Sequence, residues 1–202
     1  MSFLSPTTRS LLHGLRADWM RRAKVDAGRL LALIKSTYGR PDRAADHFYA
    51  AQSWSLGHFL DGITSGNCME YRRSRDTAYS LLDVGYPGGW VACRRDMIAA
   101  GERVIGAGWV WLVWEWSGTT DIAPRNRQHP LAVRLYSGAA SPIVDERPCS
   151  PILALDVWEH AWLADYGPGR IRDYAAAWWE AVAWERVIPL LAVATSSKLV
   201  ND

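Results

Sequence analysis

Cysteine is scarce in this chain of 202 residues: Cys68, Cys93 and Cys149 stand far apart, and no Cys-x-x-Cys pair occurs. An odd, scattered set disfavours a disulfide framework or a zinc knuckle and fits a reducing compartment better. Long apolar runs are missing too. None reaches the roughly 18 residues that a membrane span needs, so no membrane partner is expected. There is no internal repeat and no low-complexity tract. Nor is there an excess of one charge: 23 Lys and Arg face 21 Asp and Glu, for a net +2. A balance this close makes no case for nucleic-acid binding from net charge alone. The local basic clusters "RADWMRRAK" and "YRRSR" read as solvated helix faces.

What is abundant is tryptophan. Twelve of them, in a chain that is 49% hydrophobic and 22% charged, imply buried aromatic clusters or an adhesive partner surface. The length allows one domain, or two small ones, with a real core. The first sixteen residues, "MSFLSPTTRSLLHGLR", hold no acid. They resemble an organelle transit peptide in composition, and equally an ordinary capped helix start.

Periodicity orders the rest. After Pro6 the pattern predicts one long helix to about residue 39, capped by Thr7 or Thr8. Its apolar positions are Leu12, Leu15, Trp19, Leu30, Leu33 and Ile34. "GRPD" stops it, and Asp42 caps a second helix running to about residue 64; together they form a helical hairpin. Residues 65–89 are rich in Gly, Ser and charge and read as a boundary. A helix is predicted over 89–104. Three strands follow in "GWVWLVWEWSG", "LAVRLYSG" and "ILALDVW". "YGPGR" is a turn. "DYAAAWWEAVAWERVIPLLAVATSS" is helical, with Pro189 kinking or restarting it. Helices first, then a small sheet wrapped by helices, is an α+β plan.

The chemistry concentrates in "PILALDVWEHAW". A buried strand ends in Asp156, and His160 follows four residues later. A buried aspartate is costly unless paired or coordinated. His with carboxylate suits iron, manganese or zinc. Two donors are a weak metal signal. The other reading is a buried Asp156 accepting hydrogen bonds from backbone or indole groups, with His160 in a polar interface.

"DVWEHAW" closely resembles the Asp-Val-Trp-Glu-His-Ala-Tyr signature of the iron/manganese superoxide dismutases. "GAGWVWLV", "SGAASPI", Tyr174, Trp179, Trp184 and "WERV" continue the resemblance, and "AAQSW" is similar to the iron-type second helix. The resemblance implies the family fold: an N-terminal helical hairpin (1–83) packed on an α/β domain (84–202) with a three-stranded antiparallel sheet. It also implies a metal held by three histidines and one aspartate. Asp156 and His160 match two of these ligands and His13 the first, unless His13 is a solvent-facing helix residue. The remaining ligand position falls on Leu56, which cannot bind metal. His58 lies two residues on, roughly 200° around the helix. Gln52, Trp109 and Trp158 match residues that surround the metal. Counted from His13, a relay histidine and a gating tyrosine are replaced by Ala17 and Arg21, and Leu163 replaces a second tyrosine.

The resemblance therefore implies a degenerate, non-catalytic member without iron or manganese, such as the superoxide-dismutase-like subunits of the mitochondrial ribosome small subunit. The alternative is an active iron or manganese enzyme whose rearranged site recruits His58. Glu159 and His160 match residues that bridge two subunits in the family. The expected partners are a second copy or a sister chain, other ribosomal or organellar proteins, and rRNA, in the mitochondrial matrix.

Overall fold

The structure is a computed structural model that describes residues 3–63, 69–115 and 129–199. Cys68, residue 64 and the end of the first predicted strand (116–118) lie outside the described residues. Eight helices and three strands are described. In chain order they are α1 (Pro6–Ala23), α2 (Leu30–Thr37), α3 (Ala44–Asp61), α4 (Met69–Gly85), α5 (Gly89–Arg103), β1 (Gly108–Glu115), β2 (Leu131–Ser137), β3 (Cys149–Asp156), α6 (Glu159–Tyr166), α7 (Ile171–Glu180) and α8 (Trp184–Leu199). The α+β architecture with an antiparallel three-stranded sheet is the one expected.

The first helix is shorter than its apolar period suggests. Lys24 adopts a left-handed conformation (φ 54°), and its N–H turns back to the Arg21 and Met20 carbonyls. Asp26 then caps a short 3-10 turn by accepting from Arg29 N, and α2 starts afresh. The apolar positions resume in phase, which hides the break from a periodicity argument. The N-cap of α1 is Ser5, not Thr7 or Thr8: Ser5 Oγ accepts from Thr8 N at 3.1 Å. Thr8 is freed to donate its hydroxyl to Asp165 on α6 at 2.9 Å. Asp42 sits within the turn Pro41–Arg43 and pairs with Arg40, while α3 begins behind Arg43 without a side-chain cap.

Residues 65–89 are not merely a boundary, because α4 occupies most of them. Its polar side chains gave it the look of a loop, yet Ala78 and Leu82 are fully buried one turn apart, and α4 packs along α8. The C-terminal helical run breaks at 181–183, where Val182 bridges to Ile63; Pro189 lies inside α8.

The sheet order is β2-β1-β3. As the central strand, β1 is buried from Gly108 to Trp114, so the usual in–out alternation is absent. Trp109 pairs with Tyr136 on one side and Asp156 on the other. The register slips between Leu112 and Val113, opposite Pro151, which has no N–H to give the ladder. Gly108 is required by close approach: a Cβ there would lie 2.3 Å from the Tyr136 carbonyl oxygen. At the far end of the sheet, the buried Arg134 of β2 binds Glu115 at 2.6 Å and Asp145 at 2.8 Å, closing that edge with charge. A single buried cluster joins Leu12 of α1 and Leu56 and Phe59 of α3 to Trp109 and Trp111 of β1 and to Trp178, Trp179 and Trp184.

Left-handed backbone is disfavoured for any residue with a Cβ. Replacing Lys24 with glycine is therefore expected to raise stability by about 1 kcal/mol, the relieved strain exceeding glycine's entropic cost. Urea unfolding of the two proteins, compared at constant slope, measures it.

Candidate functional site

The end of β3 positions the site. Asp156 is fully buried beside Trp109. Its Oδ1 accepts from Trp158 N at 2.9 Å, a local bond that turns the chain out of the strand and into α6. Its carbonyl oxygen accepts from the Tyr174 hydroxyl at 2.8 Å. Oδ2 lies 3.4 Å from His160 Nε2, close enough for attraction but not aligned as a hydrogen bond. Burial pushes the Asp156 carboxyl above its ordinary range, and His160 only partly opposes this. The imidazole of His160 stacks on Trp158 (5.7 Å, planes 15° apart) and meets Trp19 of α1 at 5.8 Å. The Trp158 indole N–H is buried without a hydrogen-bond partner. Glu159 is exposed in the first turn of α6, where the helix dipole favours an acid.

Gln52 and Trp109 meet as a buried pair. Trp109 Nε1 donates to Gln52 Oε1 at 3.2 Å, and Gln52 Nε2 donates to the Gly138 carbonyl at 3.4 Å. These bonds tie α3 to β1 and to the turn after β2.

The hairpin contributes leucines to the core. Leu56 is fully buried, as the spacing after "AAQSW" implies. On α1 the structure turns His13 to solvent and buries Leu12, one residue earlier. Four and eight residues beyond Leu12 stand Arg16 and Met20, both half-buried, whereas Ala17 and Arg21, counted from His13, are exposed. The inward register is thus that of Leu12. Arg16 crosses the hairpin: its Nε donates to the Ser53 carbonyl at 3.3 Å, and its guanidinium occupies the space a Cβ on Gly57 would need. Leu12, Arg16 and Trp19 were missed as site residues. The signal was present, since Leu12, Leu15 and Trp19 form the apolar stripe of α1 and His13 lies off it. Leu163 is about one-third exposed on α6.

His58 is engaged elsewhere. Its ring lies against Trp54 (5.7 Å) and Trp111 (5.0 Å), and Nε2 is 3.3 Å from the Ile152 carbonyl. Burial holds its pKa below the ordinary histidine value.

An iron or manganese ion needs a set of nitrogen and oxygen donors converging on one point. Asp156 and His160 offer two, and the buried hairpin residues Leu12 and Leu56 offer none. Among the described residues no group of three or more His, Cys, Asp or Glu side chains converges. The residues present do not fit the metal.

Residues 88–189 match the family described as iron/manganese superoxide dismutases, C-terminal domain. Among curated proteins, the chain is similar to superoxide dismutase [Fe] 1, chloroplastic, of Oryza sativa subsp. japonica. The two are 29% identical over 169 residues, 79% of this chain and 41% of the rice protein. Superoxide dismutase [Mn] 1 of Leptolyngbya boryana is 31% identical over 100 residues, 50% of this chain and 36% of that protein. The probable superoxide dismutase [Fe] of Bacillus subtilis is 28% identical over 130 residues, 63% of this chain and 41% of that protein. The chain spans less than half the length of these relatives.

The burial of His58 has a consequence for pH. A histidine whose folded pKa is depressed stabilises the fold above the unfolded value of 6.5. That contribution is lost as pH falls from 6.5 through the folded pKa, because the unfolded chain takes up the proton first. His58→Phe is expected to fold and to lose less of its thermal midpoint between pH 7 and pH 5 than the parent. Thermal unfolding across that range measures the difference.

Proposed function

The chain belongs to the iron/manganese superoxide dismutase family, and we propose that within it the chain is a non-catalytic structural subunit of a mitochondrial assembly, the small subunit of the mitochondrial ribosome. One observation carries the non-catalytic reading: the buried hairpin positions are Leu12 and Leu56, which supply no donor to join Asp156 and His160. The chemistry of the family needs a redox metal and a proton supply to its bound solvent, and neither is provided for. The position of the relay histidine holds Arg16, which spends its guanidinium on Ser53 and Gly57.

The choice of assembly rests on the resemblance to degenerate family members that serve as mitochondrial ribosome subunits, and the compartment proposed with it is the matrix. The exposed Glu159 beside His160 supports pairing, with a second copy or with a superoxide-dismutase-like sister chain. The names of the relatives favour the other reading, an active enzyme. That reading must recruit His58 or another group, and His58 is engaged with Ile152, Trp54 and Trp111.

The full chain, purified from cells grown with iron and with manganese, is expected to carry far less than one metal per chain and to lack superoxide disproportionation. Metal analysis and a superoxide assay check both. Stoichiometric metal together with strong activity would overturn the structural reading.

The doubly substituted chain, Leu12→His with Leu56→His, supplies two imidazoles opposite Asp156 and His160. It is expected to gain bound iron or manganese that the parent lacks. In mitochondrial extracts the chain is expected to co-sediment with the small ribosomal subunit, and sedimentation elsewhere would refute the assembly assigned.

A further inference from the structure

A groove between α4 and α5 lies outside the centre at Asp156. It measures about 740 Å³, and its lining includes Arg75, Tyr79, Trp90, Val91, Arg94 and Glu180. Its aromatic part is a flat stack: the rings of Tyr79 and Trp90 are 4.2 Å apart and within 9° of parallel. The Arg75 guanidinium also lies over the Tyr79 ring, 5.7 Å from its centroid. Arg75, Tyr79 and Trp90 thus form one cationic–aromatic column. The core holds it in place, because the Tyr79 hydroxyl accepts from Trp179 Nε1 at 2.9 Å and the ring meets Trp184 edge-on at 5.4 Å. Both Tyr79 and Trp90 remain half-exposed, and Val91 beside them is 60% exposed.

Three arginines, Arg75, Arg94 and Arg95, and two acids, Asp76 and Glu180, line the groove, and two of the arginines are loosely committed. Arg75 Nε has no hydrogen-bond partner and lies 3.6 Å from Asp76. Arg94 leans on Glu180 at 3.5 Å, an exposed pair of little worth that can re-form with a phosphate. Arg72, exposed three residues before Arg75, extends the positive face of α4. Arg95 is already held by Asp96 at 2.8 Å. An acidic peptide would use the arginines but has no use for a rigid coplanar aromatic platform. A nucleotide uses both.

We propose that this groove binds single-stranded RNA, with one base adding to the column at Trp90 and the flanking phosphates held by Arg72, Arg75 and Arg94. The reading of the chain as a ribosomal subunit supplies only the source of the RNA; the chemistry of the groove stands without it.

The test is fluorescence anisotropy of a labelled oligoadenylate of about twelve nucleotides titrated with the full chain at several salt concentrations. Binding is expected to weaken with salt at a log–log slope of about −2, for three phosphate contacts at about −0.7 each. Trp90→Ala is expected to weaken binding about 10-fold or more, while Trp90→Phe keeps most of the affinity. Arg75→Glu combined with Arg94→Glu is expected to weaken binding and flatten the salt slope. Lys24→Glu combined with Arg29→Glu, in a second basic hollow beside α1, is expected to change little. Circular dichroism and thermal midpoints confirm the fold of each variant. Should Trp90→Ala unfold, the arginine pair decides the question.

No binding at low salt would overturn the proposal. So would affinity unchanged in the groove variants, or competition by polyglutamate as strong as by unlabelled RNA. Failure here with ribosomal co-sedimentation intact removes only the groove. Stoichiometric metal with enzymatic activity removes the ribosomal reading and leaves the groove to its own titration.

Discussion

A carboxylate taken wholly out of water is the constraint around which this fold is arranged. Isolated, a buried ionised group costs several kcal/mol even after relaxation. Asp156 meets that cost with an N–H from Trp158 on one oxygen, the imidazole of His160 near the other, and a pKa pushed up by burial, which favours a bound proton. Each response is also structural. The Trp158 bond sets the turn between β3 and α6, and that turn brings the rings of Trp158 and His160 together against Trp19 of α1. At the other end of α6, Asp165 accepts from Ser5 N and the Thr8 hydroxyl, clamping the start of α1. Two carboxylates on one connection thus fix the hairpin against the sheet.

Leu12 and Leu56 are fully buried, and each full burial of a leucine contributes about 2 kcal/mol. Arg16 would be expensive here if it were unpaired, but its Nε finds the Ser53 carbonyl, and Gly57 leaves room for its guanidinium. The tryptophans fill the remaining volume and bring a penalty of their own. The indole N–H groups of Trp111, Trp178 and Trp184 are buried without hydrogen-bond partners. Each such group costs about 1–3 kcal/mol, which the area of the ring offsets. Other indole groups of the core are paired: Trp109 donates to Gln52, and Trp179 to Tyr79.

The sheet and the helices α5 to α7 were legible because their signals are local and strong: a continuous apolar run for β1, glycine and proline at the turns, and an aspartate ending β3. The break after α1 was not legible. Lys24 carries no sequence mark of a positive φ, and the apolar stripe resumes in phase behind it. Helix α4 was missed because its arginines and aspartates outnumber its buried side chains, Ala78 and Leu82 among them. At the site, Asp156, Gln52 and Leu56 are fully buried and His160 is partly so. His13 is exposed, and there periodicity is the better guide than chemistry. A histidine next to the apolar stripe was favoured over Leu12, which lies in it. The pairing proposed at Glu159 rests on the resemblance alone, since an exposed acid at a helix start has a sufficient reason in the dipole.

The pattern of what matches the family and what departs from it has a physical logic. Asp156, Trp158 and His160 each do something that needs no metal: one shapes a turn, one supplies the N–H for it, and one lies 3.4 Å from the buried carboxyl and packs against two indoles. Replacing any of them disturbs the junction of α1, β3 and α6. On the proposed non-catalytic reading, the hairpin positions carry no comparable duty: a histidine at residue 12 or 56 would bury a polar ring with nothing to bind, whereas leucine fills the same space and stabilises it. On that reading burial favours leucine at those two positions while the turn keeps the signature intact. The signature by itself therefore reports the fold, and the chemistry has to be read from the hairpin.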